Sequence, residues 1–96
     1  MKNSFDISGF VDVRTEEAII ADLVERVRLR CKESRLTHKA LADRSGVSYG
    51  SVKRFFSTGD IAFASLVKIA RALDCLGGFD GLFAKKNYAD MRGWDR

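Results

Sequence analysis

The chain has 96 residues, a net charge of +4 and a hydrophobic fraction of 46%, which suits one modest core and argues against disorder. Proline is absent, so nothing breaks long helical runs, no apolar stretch approaches the length of a membrane span, and MKNSFDISGF lacks the basic head and apolar run of a secretory signal. Cys31 and Cys75 fit neither metal spacing nor a disulfide framework, so two reduced, partly buried thiols in a cytoplasmic protein are expected.

Residues 1–14 are expected to form an N-terminal arm. Phe5, Ile7, Val11 and Val13 alternate loosely, as a short strand or a frayed end would. Thr15 is placed to cap a first helix, with Glu16 and Glu17 at its positive end. Ile20, Leu23, Val24, Val27 and Cys31 follow helical spacing and predict one buried stripe. Residues 26–32 alternate with period two, like a strand. They continue a longer helical pattern, and the helix prevails.

Thr37 is placed to cap a second helix over 38–45 that buries Leu41 and Ala42. Gly46 stands where a C-cap needs a left-handed backbone, and Val47 plugs the turn. Ser48 caps a third helix over 49–57, with Val52 and Phe55 inward and Phe56 divided between core and interface. Residues 57–60 read as a loop. Asp60 is placed to cap a fourth helix, about 62–74, with Phe63, Leu66, Ile69, Ala70 and Leu73 inward. After Gly77-Gly78, a short fifth helix carrying Phe79, Leu82 and Phe83 is expected to close the core. Residues 85–96 form a polar tail with isolated aromatics, among them Trp94. The expected product is an all-α bundle of four to five helices, with one domain over 15–84.

Charge is unevenly distributed. Residues 26–54 hold nine Lys/Arg and two acids, whereas residues 5–25 hold six acids and one base. A basic block of this kind is the electrostatic footprint of a polyanion partner. It surrounds LTHKALADRSGVSYGSVKRFF, residues 36–56, where two short amphipathic segments flank a glycine turn. A helix-turn-helix needs that arrangement: one helix braces while the other lies in the DNA major groove.

On these residues the chain resembles the Cro/C1-type (XRE) helix-turn-helix family over roughly 23–83. The landmarks are Arg28-Leu29-Arg30, Leu36-Thr37, Leu41-Ala42, Gly46-Val47-Ser48, Val52, Phe55 and the run LVKIARAL at 66–73. The resemblance implies a lambda-repressor-like DNA-binding bundle, a homodimer and a palindromic double-stranded operator. LDCLGGFDGLF, followed by Tyr88, resembles a subgroup (HipB-like) whose small regulators accompany HipA-type kinase toxins as antitoxins. The chain departs from the family pattern at His38, where a glutamine is common, and at Phe56, where an acid is common. Gly50 is a further oddity, since glycine inside a helix is unfavourable.

The docking geometry implied by the family puts Tyr49, Gly50, Ser51 and Arg54 nearest the bases. Arg54 is the best reader, because a guanidinium bonds guanine O6 and N7 together. Tyr49 suits a thymine methyl or a phosphate. His38, Lys39, Ser48, Lys53, Ser57 and Thr58 are the candidates for backbone contacts, which position the protein without carrying sequence information. No phosphate loop, metal-ligand cluster or nucleophile elbow is present, so neither an enzyme nor a cofactor is expected. The rival is a protein-interaction module that grips a partner such as a toxin, with or without DNA autoregulation.

Overall fold

Residues 12–86 are described by a computed structural model. The chain is an all-α bundle of four α-helices and a final 3-10 turn, with no strand among the described residues. Helix α1 spans Glu16–Glu33. Thr15 caps it, its hydroxyl accepting from the Ala18 N–H at 3.0 Å. Val24, Val27 and Cys31 are buried and Leu23 packs against them. Residues 26–32 are helical, so the period of two carries no strand. Arg35 ends the run in the left-handed region, and the Leu36 N–H closes onto the Cys31 carbonyl at 2.9 Å.

Helix α2 spans His38–Ser45 and is capped by Thr37, which accepts from the Ala40 N–H at 3.1 Å. Helix α3 spans Tyr49–Thr58 and helix α4 spans Phe63–Ala72. Helix α2 packs on both α3 and α4, while α1 lies against α3. Leu41, Val52, Phe55 and Ile69 meet at the centre and are almost wholly buried. These contacts fix the α2–α3 pair from behind and leave its outer side free.

Several expectations need correction. Asp60 does not cap α4. The helix begins after Ala62 with no side-chain cap, and the Asp60 N–H instead donates to Thr58 Oγ1 at 3.1 Å. Ser57 and Thr58 belong to the last turn of α3, and the loop starts at Gly59. Phe63 is 62% exposed and meets Phe79 edge-to-face, with centroids 5.6 Å apart. Helix α4 ends at Ala72, and Asp74 turns left-handed behind it.

The fifth element is a 3-10 helix over Leu76–Gly81, and it does not close the core. Its three glycines lower helix propensity in a run of six. Leu82 and Phe83 follow it into solvent, with Phe83 fully exposed. Ile20 is also largely exposed, although its Cγ2 lies close to Gly59 at the end of α3. Phe56 is buried, which decides between its two expected placements. The arm residues Phe5, Ile7, Phe10 and Val11, and the tail residues Tyr88 and Trp94, lie outside the described residues.

Candidate nucleic-acid interface

Three residues, Gly46-Val47-Ser48, join α2 to α3. Gly46 adopts φ +80° and sends its N–H to the Ala42 carbonyl at 2.9 Å. Glycine reaches this conformation most cheaply. Ser45 Oγ accepts from the Val47 N–H at 3.2 Å, which turns the buried Val47 inward. Ser48 Oγ accepts from the Ser51 N–H at 3.1 Å and donates to Ser51 Oγ at 2.9 Å. Both serine hydroxyls are therefore engaged in fixing the first turn of α3.

Helix α3 divides sharply into two sides. Val52, Phe55 and Phe56 are buried, while Tyr49, Gly50, Lys53 and Arg54 are exposed and Ser51 is half-buried. A Cβ added at Gly50 would meet nothing within 4 Å. The fold therefore gives no steric reason for glycine at that position. Arg54 has no carboxylate partner among the described residues.

Lys39, in the first turn of α2, comes to the same side. Its Nζ lies 5.8 Å from the Tyr49 ring centroid, and Lys53 Nζ lies 5.1 Å from it. Lys53 is four residues from Tyr49, so those two share a helix face by geometry. The arrival of Lys39 from another helix has no signature in the sequence.

The other candidates are differently occupied. Ser57 Oγ and Thr58 Oγ1 both donate to the Arg54 carbonyl, at 3.2 and 2.8 Å, at the far end of α3. His38 stacks flat on Phe56, with centroids 4.2 Å apart and planes within 2°. From the other helix, the Arg28 guanidinium carbon stands 5.1 Å from the same ring. Its Nη2 reaches the Phe56 carbonyl at 3.5 Å. The His38–Phe56–Arg28 cluster ties α1, α2 and α3 together. Sequence reasoning missed it, because partners this far apart in the chain leave no periodic trace.

Pairing thins the basic block unevenly. Arg30 is held by Glu33 through contacts of 2.7 and 2.8 Å, and Arg28 reaches Glu25 at 3.4 Å. Outside the block, Arg14 pairs with Asp12 and Asp22. Its hydrogen bonds hold the exposed Asp12 carboxyl down at about 2. Lys39, Lys53 and Arg54 have no such partner among the described residues, so positive charge on the α2–α3 face is uncompensated. Desolvation pushes the Cys31 thiol above its ordinary range, with Arg28 opposing weakly. No cluster of three or more His, Cys, Asp or Glu suited to a metal occurs among the described residues.

No protein-family model, curated protein or solved structure matches the chain.

Proposed function

We propose that the protein is a sequence-specific DNA-binding transcriptional regulator, a repressor, that lays α3 in the major groove. The observation that carries this reading is the free outer side of α3. Gly50, Lys53 and Arg54 face solvent, and neither Lys53 nor Arg54 has a carboxylate partner among the described residues, on a helix whose other side is core. A helix held from behind and basic in front is what groove docking requires. The resemblance to the Cro/C1-type family supports the same orientation.

In this reading Arg54 reads guanine, and Gly50 lets the backbone approach a base or phosphate closely. Ser51 adds a weakly discriminating hydroxyl. Lys39 and Lys53 neutralise phosphates, while the Ser48 hydroxyl caps α3 through Ser51. His38, Ser57 and Thr58 support the scaffold, since each side chain already has a partner within the chain. One α3 spans only a few base pairs, so a homodimer on two half-sites about 34 Å apart supplies the specificity.

Selecting bound sites from a random DNA pool tests the reading. A palindromic consensus with half-sites one helical turn apart is the expected result. A pool that stays random through successive rounds would refute sequence-specific reading.

A second reading is a module that grips a partner protein, such as a kinase toxin. One observation favours it: Phe63 at the start of α4 and Leu76, Leu82 and Phe83 at the C-terminal end of the described residues are all exposed. Exposed large apolar side chains mark candidate interaction sites. The two roles are compatible, since none of these residues belongs to the α3 face.

A further inference from the structure

We infer that Lys39, Tyr49 and Lys53 form one phosphate clamp across the α2–α3 junction, with Tyr49 as the residue that positions both lysines. This rests on the DNA-binding reading above and assigns Tyr49 to the phosphodiester backbone rather than to a base edge.

Two ammonium groups, one from each helix, lie within 6 Å of a single tyrosine ring, at 5.8 and 5.1 Å. An aromatic ring attracts a cation at that range through its quadrupole. Neither ammonium is paired with a carboxylate among the described residues. The ring thus draws two like charges from two helices to one residue. A phosphate oxygen arriving there gains both charges at once. Lysine is suited to this task as a compact point charge with several donors.

Tyr49 is itself 46% exposed and is not needed to fill the core. Its ring limits the freedom of two flexible side chains before DNA arrives, so less entropy is lost on binding. The clamp also ties α2 to the start of α3, and its charge therefore reports the register of both helices on one strand. A residue used in this way raises affinity for every duplex alike and carries no sequence information.

The test compares Tyr49→Leu and Tyr49→Phe with the wild type on random duplex DNA and on a selected site. Tyr49→Leu is expected to weaken both by a similar factor, about fivefold or more, because it removes two cation–ring contacts. Tyr49→Phe keeps the ring and is expected to restore most of that loss. In a Tyr49→Leu background, Lys39→Met should cost less than it does in the wild type, since the two residues act as a unit.

A reading in the free protein is independent of DNA. The side-chain methylene protons of Lys39 and Lys53 should show ring-current shifts in NMR spectra. These should be lost in Tyr49→Leu and kept in Tyr49→Phe.

Failure takes two distinguishable forms. If wild-type binding does not depend on salt, the DNA reading falls and the clamp falls with it. If the wild type binds normally but Tyr49→Leu relaxes one base position and leaves random-duplex affinity unchanged, Tyr49 is a base reader and the clamp alone is wrong. Absence of ring-current shifts would equally overturn it.

Discussion

At the scale of single residues, the outer side of α3 separates what the fold needs from what a ligand needs. Gly50 is the clearest case. Its Cβ position is open, so Gly50→Ala should stabilise the protein by about 0.5–1 kcal/mol. The same change should weaken binding to a selected DNA site, because in the proposed docking the added methyl would lie where the groove wall approaches. Paired denaturant titrations and binding assays would read both effects. Stabilisation with unchanged binding would mean the glycine is merely tolerated. Arg54→Ala should cost about 1–3 kcal/mol on the selected site and relax one base position. Unchanged specificity would remove Arg54 as the reader. Cys31 supplies a check on the core. Its thiol is buried and its ionisation is suppressed, so a thiol reagent should modify the partly exposed Cys75 first and Cys31 only on unfolding. Because burial favours its neutral form, the fold should lose stability as pH rises into the range where an exposed thiol ionises.

At the scale of elements, two glycines do similar jobs at different cost. Gly46 and Gly59 both end helices in the left-handed region, at φ +80° and +82°. A side chain at Gly46 would enter open space, whereas one at Gly59 would overlap Ile20 Cγ2. Gly46→Ala should therefore cost about 1–2 kcal/mol from backbone strain alone. Gly59→Ala should cost more, about 2–4 kcal/mol, because overpacking adds to the strain. Equal losses in chemical denaturation would show that α1 yields easily at Ile20. The role of Gly46 was legible from its neighbours, as were the caps Thr15, Thr37 and Ser48. Each of these acts within a few residues, and local chemistry determines it. The start of α4 and the 3-10 turn were misread for the complementary reason. Phe63, Leu82 and Phe83 have the spacing of a buried stripe, but spacing cannot tell whether another element is present to cover it. The same limit hid the placement of Lys39 beside Tyr49 and of Arg28 and His38 around Phe56. Those contacts cross between helices, and their chemistry exists only once the bundle forms.

At the scale of the whole molecule, the chain offers both unpaired positive charge and exposed apolar side chains. The cations left unpaired on α2 and α3 suit a polyanion. Phe63, Leu76, Leu82 and Phe83 suit a protein surface. A second copy of the chain is the partner this combination favours, because a two-fold dimer would set two α3 helices toward one duplex. Sedimentation should then report a dimer, and Phe83→Asp should return a monomer that binds half-sites weakly. A wild-type monomer at working concentrations would count against this arrangement. In the proposed function the α2–α3 face meets the DNA backbone through uncompensated lysines and arginines. Its most direct test is the affinity for random duplex DNA over a range of salt concentrations. Displaced counterions give a log–log slope of about −0.9 per phosphate neutralised, so about six contacts should yield a slope near −5. A steep slope, reduced by about one in Lys53→Ala, is the predicted result. A flat response in the wild-type protein would contradict DNA binding by this face.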